Sequence, residues 1–128
     1  MSNSRVISMS QWKNSKILSK TGYSLNGLRS AFLSEKAIRN EFSALCLMMV
    51  LAFFYGETLL TVFKVFLLCL IPLIVELINT SCEIIIDLLL GPTYREDVRL
   101  SKDMLSAAVF LSLSFSYSMA LIVIFYKQ

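Results

Sequence analysis

Between Thr58 and Leu90 the chain runs almost without interruption through apolar residues, yet four polar ones punctuate its second half: Glu76, Asn79, Glu83 and Asp87. At about 1.5 Å per residue, a helix of about 33 residues is near 50 Å long, well beyond the roughly 30 Å of bilayer hydrocarbon. It must tilt or project from one side. At about 100° per residue the four polar positions point to roughly 0°, 300°, 340° and 20°, an arc of about 80°. One stripe of one helix is therefore acidic and the rest is greasy. A charged side chain at the centre of a spanning helix costs about 2.5–3.5 kcal/mol on insertion scales. Three acids and an amide are not there for stability, and they must face protein, water or a bound cation rather than acyl chains. Counting about twenty residues inward from Leu60 places the bilayer edge near Asn79. Glu76 and Asn79 then lie at the border, with Glu83 and Asp87 beyond it. Pro72, just before the stripe, is a candidate bend.

The rest of the chain agrees. Of 128 residues, 56% are hydrophobic, and the mean hydropathy of +0.69 is too high for an ordinary soluble domain of this size. The pattern predicts an all-α membrane protein: a cytoplasmic N-terminal amphipathic surface helix segment over 1–36, then a three-helix transmembrane domain over 37–128, with spans at about 37–55, 58–90 and 104–126. In the N-terminal segment, Val6, Ile7, Met9 and Trp12 form one amphipathic stretch, and Leu25, Leu28 and Phe32 recur at helical spacing. Gly22 and Gly27 punctuate it, predicting two short helices or turns rather than one long helix. Gly56-Glu57-Thr58 reads as a tight outer turn. Gly91-Pro92 reads as a helix stop, followed by a short charged loop over 93–103. Small residues in the third span (Ser106, Ala107, Ala108, Ser112, Ser114, Ser116, Ser118) suit close helix packing. Residues 1–20 hold no continuous apolar stretch, so no cleavable signal peptide is expected.

Lysine and arginine set the orientation. With three spans, Arg5, Lys13, Lys16, Lys20, Arg29, Lys36, Arg39, Arg95, Arg99 and Lys102 share one side, against Lys64 and Lys127 on the other. That imbalance predicts a cytoplasmic N-terminus and a cytoplasmic acidic stripe. No basic block argues for nucleic acid. With no histidine in the chain, His bases, Ser-His-Asp triads and His-ligated metals are excluded. Cys46, Cys69 and Cys82 lie in apolar stretches without metal-ligand spacing and read as small buried hydrophobes. Proton chemistry falls to carboxylates or lysine.

Hard divalent cations such as Mg²⁺ take oxygen ligands, commonly one or two carboxylates plus substrate phosphates. Lys102 supplies a point charge for a phosphate. A carboxylate near hydrocarbon is suited to take a proton from a hydroxyl. Together these are the parts of phosphoryl transfer, and their place at the bilayer border suggests a lipid nucleophile.

The stretch Glu76-Leu-Ile-Asn79-Thr-Ser-Cys-Glu83-Ile-Ile-Ile-Asp87, with Lys102-Asp103-Met-Leu-Ser106-Ala107-Ala108-Val109 after it, resembles the signature of the prokaryotic diacylglycerol kinases, small trimeric membrane lipid kinases with three spans. Gly22-Tyr23-Ser24, Gly27-Leu28-Arg29-Ser-Ala31-Phe32, Glu35, Arg39 and Glu41 resemble the family's N-terminal portion, and the likeness covers about residues 16–126. The resemblance implies transfer of the γ-phosphate of MgATP to diacylglycerol, giving phosphatidic acid, at the bacterial inner membrane. It implies Glu76 as general base, Glu35 and Glu83 as holders of Mg²⁺, and Lys102 at the γ-phosphate. Lys16, Tyr23, Asn79, Glu83, Asp87 and Asp103 join the nucleotide site on the same basis, and Arg39 and Ser106 join Glu76 on the lipid side. It also implies a homotrimer with sites shared between subunits. Three features depart from the pattern: Lys16 stands where arginine is common, Leu105 replaces a glycine, and Thr93 replaces an acidic residue in a loop one residue longer than usual.

Other readings stand beside these. The stripe suits an interhelical polar network, or an ion path in a non-catalytic helical subunit. Glu35 and Arg39 suit a plain i, i+4 pair. Lys102-Asp103 suits the cap of the third helix. Glu41 divides evenly between a border charge and a working residue. Trp12 and Tyr23 suit interfacial anchors, and the serines of the third span suit packing better than binding. Gly22-x-x-x-x-Gly27 is rejected as a phosphate loop, because Leu28-Arg29 follows where Lys-Ser/Thr is needed. Undecaprenol, the substrate of a related branch, is the alternative lipid.

Overall fold

The computed structural model describes residues 17–126 and contains four helices among them: α1 (Ile17–Ser34), α2 (Lys36–Tyr55), α3 (Leu59–Leu90) and α4 (Glu96–Phe125). The chain divides into two compact units, the first ending at Ser34 and the second starting at Glu35. Lys16 and the Val6–Trp12 stretch lie outside the described residues.

α1 is one continuous helix, where the sequence predicted two short pieces. Gly22 and Gly27 sit inside it, and a Cβ built on either would meet no other atom within 4 Å. A glycine inside a helix costs about 1 kcal/mol relative to alanine, and helix-forming residues elsewhere in the segment outweigh two of them.

In the second unit, α2, α3 and α4 are each long and apolar enough to cross a membrane. α3 packs against both neighbours, while α2 and α4 touch much less. The connections are short, so neighbours run antiparallel. α2 ends at Gly56, whose N–H donates to the Ala52 carbonyl at 2.9 Å. A Cβ there would stand 2.3 Å from the Ala52 oxygen and 3.0 Å from Thr61 Cγ2, so only glycine fits. Two residues on, Thr58 starts α3, its hydroxyl accepting from the Thr61 N–H at 3.3 Å. The sequence places this turn correctly. Pro72 is buried inside α3 without ending it. Gly91 does end it, at φ +65° and ψ −161°, a region that essentially only glycine enters, with its N–H on the Asp87 carbonyl at 3.1 Å.

The loop after Gly91 is shorter than its charge suggested. α4 begins at Glu96, with Arg95 rather than Lys102-Asp103 at its cap. Glu96 and Asp97 occupy the first turn, where carboxylates favour the helix dipole. Arg99 then bridges Glu96 and Asp103, one turn to either side, the latter at 2.9 Å. These i, i+3 and i, i+4 pairs favour helix in a polar segment by about 0.2–0.5 kcal/mol each. Arg95 pairs with Asp97 at 2.6 Å. The Asp97 hydrogen bond, and then its charge, hold the Arg95 guanidinium above its ordinary pKa.

The core lies toward the Gly56 end. Leu45, Met48 and Ala52 of α2 meet Val65 and Cys69 of α3 and Ala120 and Ile124 of α4. Ala52, Val65 and Ala120 are wholly enclosed. Small side chains at these crossings let the helix backbones approach closely.

Candidate active site

At the other end of the same three helices the packing opens. A cleft of about 380 Å³ is lined by Ala37, Asn40 and Glu41 of α2, Glu76 and Asn79 of α3, and Ser106, Val109 and Leu113 of α4. The helical period explains the convergence. Glu76 and Asn79 are one turn apart on α3, Asn40 and Glu41 sit in the second turn of α2, and Ser106, Val109 and Leu113 recur along one face of α4.

Glu76, Asn79 and Glu41 are each more than nine-tenths buried. The Asn79 side chain is in hydrogen-bonding range of the Glu76 carboxylate. Glu41 is in electrostatic range of Glu76, and so are Glu35 and Glu83. Four carboxylates therefore crowd one end of the bundle. Glu41 Oε2 and Asn79 Oδ1 have no hydrogen-bond partner although both are sealed from solvent. An unpaired buried polar atom costs about 1–3 kcal/mol, a cost that a ligand or water in the cleft removes.

Beyond the cleft, Lys102 Nζ donates to Asp87 Oδ1 at 2.6 Å across the Gly91 turn. Lys102 is also in electrostatic range of Glu83. Asp103 faces Arg99 instead. Among the described residues, no three acid, cysteine or histidine side chains converge closely enough to hold a metal by themselves.

The structure thus gathers Glu76, Asn79 and Ser106 in the cleft, sets Glu35 and Glu83 within electrostatic reach of it, and couples Lys102 to Asp87. Arg39 lies on the same turn of α2 as Glu41, outside the cleft lining. Tyr23 belongs to α1, in the other unit. Sequence reasoning left Glu41 undecided, quoted Val109 only within the signature without a role, and did not single out Asn40 or Leu113. The Glu41 signal was present: a carboxylate one turn and a half after Glu35, at the mouth of an apolar span.

Three spanning helices that enclose a cluster of carboxylates, with a lysine–aspartate pair beyond it, define a polytopic membrane protein with an acidic cleft at one end of its bundle. Residues 22–124 match the family model described as prokaryotic diacylglycerol kinase. A diacylglycerol kinase of Haemophilus influenzae is 36% identical over 97 residues, covering 76% of this chain and 81% of that one. That of Escherichia coli K12 is 34% identical over 98 residues (77% and 80%), and that of Helicobacter pylori 33% identical over 93 residues (73% and 72%). The chain belongs to the prokaryotic diacylglycerol kinase family.

Proposed function

We propose that the protein phosphorylates diacylglycerol with ATP at the cytoplasmic face of the bacterial inner membrane, as a homotrimer. The observation that carries this reading is the cleft: a buried carboxylate, Glu76, lines it at one end of three apolar helices, with further carboxylates in electrostatic range and Lys102 in range of one of them, Glu83.

In the proposed step Glu76 takes the proton of the lipid hydroxyl as the hydroxyl oxygen bonds to the γ-phosphorus. The bond from that phosphorus to the β–γ bridging oxygen breaks, ADP leaves, and phosphatidic acid remains. Asn79 orients the Glu76 carboxylate. Lys102 exchanges Asp87 for the γ-phosphate, trading one anion for another. Lys16, Tyr23, Asp87 and Asp103 serve the nucleotide, and Arg39 and Ser106 the lipid. Glu35 and Glu83 suit a Mg²⁺ ion, because each lies in electrostatic range of Glu76 and clustered carboxylates repel until a cation joins them. Two protein oxygens plus phosphate oxygens are a common magnesium set, and when bound the ion neutralises charge on the transferred group.

The test is transfer of labelled phosphate from ATP to diacylglycerol or undecaprenol in mixed micelles. Diacylglycerol is expected to be the better acceptor, and Glu76→Gln is expected to lower turnover about 10²–10⁴-fold. Near-normal turnover in that variant removes Glu76 as the base. Absence of any labelled lipid with the wild-type protein removes the kinase reading.

A further inference from the structure

Tyr117 stands outside every role assigned above. It lies on α4 one turn beyond Leu113, which lines the cleft. Its hydroxyl is sealed from solvent and has no hydrogen-bond partner, although the residue as a whole is only half-buried. It is in electrostatic range of Glu41 and of Cys69. Helical side chains lean toward their own N-terminus, and α4 starts at the Gly91 end. The ring therefore leans back toward the cleft, within electrostatic range of Glu41, which lines it.

A glycerolipid whose hydroxyl meets Glu76 must place its ester groups deeper, on the side of its acyl chains. At that depth an ester carbonyl needs a donor. Of the other buried atoms without a partner, Glu41 Oε2 and Asn79 Oδ1 are acceptors, and Ser116 Oγ belongs to a residue that is wholly enclosed. The phenol O–H is a donor, and because the residue is only half-buried a change of its χ1 rotamer carries the hydroxyl toward the cleft.

We infer that Tyr117 is a specificity-determining residue that donates a hydrogen bond to an ester carbonyl of the lipid substrate. It ranks ester-linked diacylglycerol above a lipid alcohol that lacks carbonyls. The inference rests on the lipid-kinase reading and adds to it a second polar contact below the base.

The experiment compares dioleoylglycerol with its dialkyl ether analogue as acceptors, using full-length wild-type protein and Tyr117→Phe in mixed micelles with labelled ATP. Wild-type protein is expected to favour the diester in kcat/KM by about three- to tenfold, the range of one hydrogen bond. Tyr117→Phe is expected to lose that preference. A variant that keeps it overturns the inference, because packing damage would slow both lipids alike and leave their ratio intact. A wild-type protein that uses both lipids equally also overturns it, without recourse to any variant. If the wild type labels neither lipid, the kinase reading itself falls, a result distinct from the other two.

Discussion

The two ends of the helix bundle are built from the same three helices and behave as opposites. Toward Gly56, side chains of α2, α3 and α4 close on one another, with Ala52, Val65 and Ala120 fully enclosed. Tyr55 and Phe125 meet at that end with ring centres 5.7 Å apart and planes tilted by 45°. Toward Gly91, the helices enclose a cleft whose walls carry two carboxylates and two amides, with polar atoms left unpaired. One end is packed to hold the helices together, and the other stays unsatisfied so that something can bind. Concentrating like charges and unpaired acceptors is destabilising, and the dry end offsets it.

That division can be broken by moving the wrong property to the wrong end. The largest effect expected is on turnover: Glu76→Gln loses its activity without losing stability in detergent, since a neutral amide of the same size relieves repulsion in the cleft. Circular dichroism during denaturation, alongside the labelled-lipid assay, separates the two properties. Next is Ala120→Leu, which forces extra methylenes into a fully enclosed site. It should destabilise the bundle by about 1–3 kcal/mol, with turnover per folded molecule kept; a denaturant titration checks this. Ser116→Ala should stabilise by about 1 kcal/mol, because it removes a buried hydroxyl that has no partner. A lower unfolding midpoint would show that Ser116 has a partner after all. Smallest is Arg99→Ala. Its pairs with Glu96 and Asp103 are at least half-exposed, so the loss should be under about 1 kcal/mol and should shrink further in high salt.

Much of this was legible in the sequence because hydropathy and glycine act locally. The apolar runs give three helices, Gly91 gives a stop that the chain takes at positive φ, and Gly56 gives a turn that admits no Cβ. The start of α4 was not legible. Residues 96–103 are mostly polar and read as loop, and acids in the first turn with side-chain pairs one turn apart add modest support to the helix there. α1 was misread for the reverse reason, since two glycines looked like breaks in a segment that tolerates both. In the site, the spacing of Glu76 and Asn79 predicted a shared face, and both line the cleft. The coupling of Lys102 to Asp87 spans fifteen residues, and the approach of Tyr117 to Glu41 joins different helices. Contacts of that kind depend on how helices pack, which no single-helix periodicity encodes.

The turn at Gly56 has a consequence for how the protein is made. Three residues separate Tyr55 from Leu59, a reach of at most about 14 Å. The hydrocarbon layer is roughly 30 Å thick. Whichever water layer receives the end of α2 must therefore receive the start of α3. The pair enters the bilayer as a hairpin whose two legs cannot be oriented independently, so an error in threading would invert both at once.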